Sequence, residues 1–147
     1  MAQSIFTKIV AGEIPCHRLY EDEHVLAFLD VGPVSRGHCL LIPKECYVEL
    51  DDVPPDVGAA LGAVLPRLAA AVKRATGCDG LNVLQNNGAA AGQAVMHVHF
   101  HLIPRYGSDK PRPGAGGDGL IFDWPAGKLD PGDAETVKAA IVAALSD

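Results

Sequence analysis

Ten residues, MHVHFHLIPR (96–105), constrain this chain more than any others: His97, His99 and His101 alternate with Val98, Phe100 and Leu102. Side chains alternate across an extended strand, and residues two apart lie about 6.6 Å apart along it. The spacing therefore predicts a strand with one histidine face and one apolar face. The apolar face needs a core. The histidine face gathers imidazoles that can each act as nucleophile, proton donor or cation near pH 7. A solvated strand face ordinarily mixes Lys, Glu, Thr and Ser, whereas half of the chain's six histidines stand here.

The rest of the chain can supply that core: 147 residues, 48% hydrophobic, fit a single domain spanning 1–147. HRLYE (17–21) and HVLAFLDV (24–31) flank Asp22-Glu23 and read as a hairpin. GHCLLIP (37–43) follows the turn-rich GPVSRG as a third strand closed by Pro43. GLNVLQN (80–86) is the fourth strand and AVMHVHFHLIP (94–104) the fifth, with the small-residue loop NGAAAGQ between them.

Three helices are expected. Ser4 caps a short one that runs to Ala11 and ends at Gly12. Val57, Leu61, Val64, Leu65, Leu68 and Val72 recur at spacings of three and four, giving an amphipathic helix from about 52–55 to Gly77, in which Pro66 should bend the axis or remove a bond. Asp130 before Pro131 opens the last, at about 131–145, with Val137, Ile141 and Leu145 on one face. YGSDKPRPGAGGDG (106–119) reads as an exposed loop; its GAGG lacks the preceding strand and following helix that a phosphate loop needs. The sum is five strands and three helices.

Eighteen acidic against 12 basic side chains, a net charge of −6, disfavour a broad grip on nucleic acid or anionic membrane. No signal-peptide pattern and no run of about 18 uninterrupted apolar residues is visible, which makes the cytoplasm the expected location. Cys16, Cys39, Cys46 and Cys78 form no CxxC pair and read as reduced, mostly buried thiols.

Two chemistries use a histidine row. HxH pairs suit zinc, but no Asp or Glu lies in or beside the run to complete or orient a metal site. Alternatively, one neutral imidazole attacks phosphorus while its neighbours donate to the phosphate oxygens. That needs no metal, and it confines positive charge to a small site in an acidic protein.

His97-Val98-His99-Phe100-His101-Leu102-Ile103 resembles the signature of the histidine triad superfamily, and SIFTKIVAGEIP, LAFLDVGPVSRGHCLLIPK, QNNGAAAGQAV and IPRY resemble its Hint-like bacterial members in the same order. The resemblance covers residue 4 to about 106. It implies an α+β fold, a five-stranded antiparallel sheet with flanking helices, joined to a second subunit in a ten-stranded sheet across a homodimer. It also implies attack at the α-phosphate of purine nucleoside 5′-phosphoramidates or related nucleotidyl conjugates, without a metal or other cofactor.

Carried over by position, His99 resembles the nucleophile that becomes nucleotidylated and His101 a phosphate-oxygen partner. His97, with His38 behind it, resembles the supporting hydrogen-bond network. Asp30 resembles the acceptor of the ribose hydroxyls, though before Gly32-Pro33 it also suits a turn cap. Ile5, Phe6, Ile9, Phe28, Val31 and Leu40 resemble the wall around the base, which ordinary core would also explain, and Asn86 and Gln93 resemble polar residues on the phosphate side.

Two departures matter. Where many members carry a serine that bonds the leaving group, this chain has Ala94, whose methyl donates nothing. Where some bacterial relatives hold zinc with a CxxC pair and two histidines matching His38 and His97, this chain has Ser4 and Thr7, and hydroxyls are poor zinc ligands beside thiolates. The expectation is a metal-independent nucleotidyl hydrolase. A nucleotide-binding protein with vestigial catalysis, or a metallohydrolase using the HxHxH row, are the alternatives.

Overall fold

Five strands, β1 (Arg18–Glu21), β2 (Val25–Leu29), β3 (Cys39–Pro43), β4 (Gly80–Gln85) and β5 (Phe100–Arg105), pair antiparallel throughout in the order β1-β2-β3-β5-β4. Three α-helices accompany them: α1 (Ile5–Val10), α2 (Pro55–Thr76) and α3 (Pro131–Leu145). The structure, a computed structural model, describes residues 3–107 and 126–146. The loop expected at 106–119 lies, from 108 on, outside the described residues.

Local chemistry sets the boundaries. Asp22 Oδ1 accepts the N–H groups of His24 and Val25 at 2.8 and 2.9 Å, closing the β1–β2 hairpin. Ser4 and Thr7 form a reciprocal capping box at the start of α1, and Gly12 takes φ +79° just beyond its end. α2 opens with Pro55 in its first turn and stops at Gly77, whose φ of 65° favours glycine. α3 opens on Asp130, whose carboxylate accepts the Asp133 N–H at 2.8 Å.

α2 runs unbroken through Pro66. The bond that proline cannot make belongs to the carbonyl of Gly62, one turn back, and both residues face solvent, where water can serve that oxygen. By length and composition α2 is apolar enough to cross a membrane, yet its Val57, Leu61, Val64, Leu68 and Val72 stripe is buried in the core.

The sheet has two covered faces. Val25, Ala27 and Leu29 of β2, Cys39 and Leu41 of β3 and Leu102 of β5 join the buried residues of α2 and α3 in one large cluster. The alternate residues Leu26 and Phe28 of β2 and Leu40 and Ile42 of β3 meet Phe6 and Ile9 of α1 in a smaller one. β2 and β3 are buried along their whole length, so they read as continuous apolar runs rather than as alternating ones.

β5 is shorter than its sequence suggests. The ladder begins at Phe100, so of the three histidines only His101 lies within it, opposite Leu40 of β3 and Leu84 of β4. Upstream, His97 N–H bonds Val95 O in a tight turn and Val98 N–H bonds Tyr47 O at 2.7 Å. These backbone groups find partners outside the sheet, which ends pairing before His99. The histidines nevertheless continue the parity of the strand: Val98 and Leu102 are fully buried, while the three imidazoles lie on the side of Phe6.

Candidate active site

Residues of one parity from three strands converge on the α1 side: Asp30 just past β2, His38 just before β3, and His97, His99 and His101 along the approach to β5. His99 and His101 stack edge to face with ring centroids 4.8 Å apart. His38 and His101 lie 5.2 Å apart, and the Phe6 ring packs edge-on at 5.2 Å from His99. All four imidazoles are buried.

Burial is the leading cause of their acid–base behaviour. It holds all four pKa values below the ordinary histidine range, that of His38 at about 4 and that of His101 at about 3. At neutral pH each ring is therefore uncharged, with one nitrogen protonated and the other a lone pair. Which is which follows from the partners, because a carbonyl can only accept and a backbone N–H can only donate.

His99 Nδ1 lies 2.7 Å from the carbonyl of His97, so Nδ1 carries the proton and Nε2 the lone pair. His38 has the opposite input. Its Nδ1 accepts the Val34 N–H at 2.9 Å, which leaves the proton on Nε2; Nε2 in turn lies 3.0 Å from His101 Nδ1 and 3.5 Å from Asp30 Oδ2. Nδ1 of His101 thus accepts, and its proton resides on Nε2. Adjacent rings are accordingly held in opposed states: His99 offers a lone pair at Nε2 and His101 an N–H.

His97 belongs to a different network from His38, contrary to the expected single one. Its Nε2 lies 2.8 Å from the Pro43 carbonyl and so donates, leaving Nδ1 to accept from Ser4 Oγ at 2.8 Å. Ser4 accepts the Phe6 and Thr7 N–H groups with the same oxygen, so one hydroxyl caps α1 and fixes His97. The carbonyl of His97 then orients His99. His38 supports His101 instead.

The other expected residues divide. Phe6, Ile9, Phe28 and Leu40 come together in the smaller buried cluster, whereas Ile5 and Val31 are 51% and 69% exposed and form no part of it. Of the two readings of Asp30, the structure shows the turn cap, Oδ1 accepting the Gly32 N–H at 2.8 Å, while Oδ2 faces His38 at 3.5 Å. Gln93 is committed to the loop rather than to a phosphate, since its amide bonds Val48 O and Val95 O and accepts the Gly88 N–H. Asn86 is half-buried near Gly92, and Ala94 is exposed.

The donor set does not fit a metal. Asp30, His38 and His101 bring ligand atoms within 4.8 Å of one another, supplying in space the carboxylate that the strand lacks in sequence. However, His38 already accepts a backbone N–H on Nδ1, and binding an ion through Nε2 as well would require an imidazolate. At the other candidate position, Ser4 and Thr7 are consumed by the capping box and His97 by Ser4 and Pro43, while His38 is bonded elsewhere.

Ser4 was readable as a cap and, through the family resemblance, as a neighbour of His97, but the hydrogen bond that lets one hydroxyl serve both was not. The Val34 N–H and the carbonyls of Pro43 and His97 carry no sequence signal at all. They are backbone groups, placed only by the fold.

A family profile for the HIT domain matches residues 11–108. The chain is 50% identical over 101 residues to an adenylylsulfatase of Arabidopsis thaliana, covering 69% of this chain and 51% of that protein, so it spans about half the length of that relative. It is 43% identical over 129 residues to an adenosine 5′-monophosphoramidase of Saccharomyces cerevisiae, covering 88% of this chain and 74% of the other. Its fold matches the crystal structure of a Hit-like protein from Bartonella henselae with a TM-score of 0.82 and 34% identity, over 97% of this chain and 96% of that one. With its profile spanning both Asp30 and the whole histidine cluster, the chain belongs to the HIT family.

Proposed function

We propose that this chain is a metal-independent nucleotide hydrolase that cleaves purine nucleoside 5′-phosphoramidates or related nucleotidyl conjugates at the α-phosphate through a nucleotidyl-His99 intermediate. The observation that carries this reading is the opposed protonation of His99 and His101, a nucleophile and a hydrogen-bond donor side by side. Relatives named adenylylsulfatase and adenosine 5′-monophosphoramidase support nucleotide hydrolysis as the general activity.

In the first step the His99 Nε2 lone pair forms a bond to the α-phosphorus as the bond to the leaving group breaks. Charge on the phosphoryl oxygens is met by the His101 Nε2–H, and the positive charge arriving on the His99 ring is met by the His97 carbonyl at Nδ1. Ala94 has no proton to give and Gln93 is fully engaged, so the leaving group takes its proton from water. Water then attacks phosphorus, the N–P bond breaks, and the nucleoside monophosphate is released.

Asp30 Oδ2 accepts from the ribose, and the base lies against the Phe6, Phe28 and Leu40 cluster, with exposed Ile5 and Val31 at its rim. The sheet continues across a homodimer through the edge strand β4, where Val83 is 47% exposed. The exposed methyl of Ala94 favours one second reading, a nucleotide-binding protein with vestigial catalysis.

Quenched turnover of adenosine 5′-phosphoramidate decides between them. Intact-mass and peptide analysis should find the nucleotidyl adduct on His99, and His99→Ala should lose on the order of 10³-fold or more in kcat while still binding AMP. Full activity in His99→Ala, or an adduct on another residue, would overturn the assignment; binding without multiple turnover by the wild type would establish the second reading.

A further inference from the structure

The state of His101 depends on His38, and the proton of His38 is kept on Nε2 chiefly by one backbone N–H, that of Val34, at 2.9 Å from Nδ1, with the Asp30 carboxylate a longer 3.5 Å from Nε2. If that amide moved away, His38 could carry its proton on Nδ1 instead. His101 would then have to donate through Nδ1, and its Nε2 would become a lone pair facing an electron-rich phosphate. The loop that presents Val34 therefore acts on the protonation of His101 through His38.

Gly37 lies close against Thr76 and Pro104, but elsewhere packing around this loop is incomplete. Behind it lies a cavity of about 240 Å³, lined among others by Leu29, Pro33, His38, Leu129 and Val137. Hydrogen bonds hold it instead. The segment before α3 adds Gly127 N–H to Pro33 O at 2.8 Å and Leu129 N–H to Val31 O at 3.2 Å, and Ser35 Oγ donates to Pro104 O.

Tyr106 Oη donates to Arg36 O at 2.7 Å, and a further tie is made between side chains. Arg36 grips Asp133 in the first turn of α3 with Nε at 3.0 and 3.1 Å from the two carboxylate oxygens and Nη2 at 3.0 Å from Oδ1. Asp133 is itself fixed by the Asp130 cap on its N–H. The forked geometry holds the loop in orientation as well as in position.

We propose that Arg36 and Asp133 are positioning residues: by clamping the loop over this cavity to α3, they keep the Val34 N–H on His38 and so keep His101 a donor through Nε2. The proposal rests on the roles given to His99 and His101 above, but the ring protonation it predicts can be read without any turnover. Their role runs through the loop and His38.

The test combines long-range ¹H–¹⁵N imidazole spectra with steady-state kinetics on adenosine 5′-phosphoramidate. Wild type should show His38 and His101 protonated at Nε2. Arg36→Ala and Asp133→Asn should each shift both rings towards a mixture and lower kcat about threefold, with a smaller change in KM, because an exposed pair shifts a conformational equilibrium by no more than its own modest strength. Arg36→Lys, which keeps the charge and loses the fork, should fall between, and the exchange Arg36→Asp/Asp133→Arg should recover most of the loss.

His17→Gln removes another tie to α3, the His17–Glu135 contact at 3.2 Å, and should change neither readout. Unaltered ring protonation in Arg36→Ala would overturn the proposal whatever the rate, as would a wild-type His38 protonated on Nδ1. A protein without turnover that still shows the predicted ring shifts would refute the hydrolase reading and leave the clamp standing.

Discussion

The two faces of the sheet are built by different physics. On the helical face, α2 and α3 close over β2, β3 and β5 with interlocking aliphatic side chains, and stability there comes from burial and close packing. On the α1 face the apolar cluster is small, and the remaining space is filled by four buried imidazoles, each fixed through at least one ring nitrogen by a defined partner. Among the described residues no buried side-chain nitrogen or oxygen lacks a hydrogen bond. A packed face tolerates a change of shape at some cost in stability. A hydrogen-bonded face is less forgiving, because moving one proton reassigns donor and acceptor along the whole chain of partners.

The sharpest way to break this contrast is to damage the packed face alone. Leu68, fully buried between the sheet and α3, should cost about 4 kcal/mol when replaced by Ala, the range typical of a core cavity. Chemical denaturation should show that loss while kcat per folded molecule stays at the wild-type value. A fall in kcat at temperatures well below the melting point would show that the two faces are coupled.

Acid should damage the other face. The folded-state pKa values of His38 and His101, about 4 and about 3, lie below the ordinary 6.5, so the unfolded chain binds more protons in that interval. The stability these rings contribute is complete above about pH 6.5 and is lost as pH falls towards those values. Between pH 7.5 and 5.5 each should forfeit about 1.4 kcal/mol, about 3 kcal/mol together, with His97 and His99 adding in the same direction. Denaturation curves at the two pH values measure it, and His101→Gln should shrink the difference by about one such share.

Ser4→Ala touches both kinds of stabilisation and should give the smallest loss, about 2 kcal/mol, from the missing cap of α1 and the orphaned Nδ1 of buried His97. Unlike Leu68→Ala it should also lower kcat, because His97 supplies the carbonyl that orients His99. A variant that lost only the stability of a cap would confine Ser4 to α1.

The helical face was the more legible of the two. The three-and-four spacing of Val57, Leu61, Val64, Leu68 and Val72 locates the buried stripe of α2, and Asp130-Pro131 locates the start of α3. On the other face the sequence pointed to histidines that the fold does bring together, but with the wrong geometry. The alternation at 97–101 reads as one continuous strand, yet His97 and His99 lie upstream of the ladder because Val98 bonds Tyr47. Ile5 and Val31 are as apolar as Phe6 and Phe28, and only burial separates the exposed pair from the cluster.

By itself the amino-acid sequence determined what is local and periodic: which segments are helix or strand, which residues share a parity, and that three imidazoles would stand together. Those properties follow from backbone geometry over a few residues. Tertiary structure alone decided which nitrogen of each ring carries its proton. That depends on single donors and acceptors at about 3 Å, several of them backbone groups: Val34 for His38 and His97 for His99, near in the chain but aimed by how the loop folds, and Pro43 for His97, 54 positions away. A hydrogen bond of that kind leaves no trace in residue identity, because every residue has a carbonyl and all but proline have an N–H to offer.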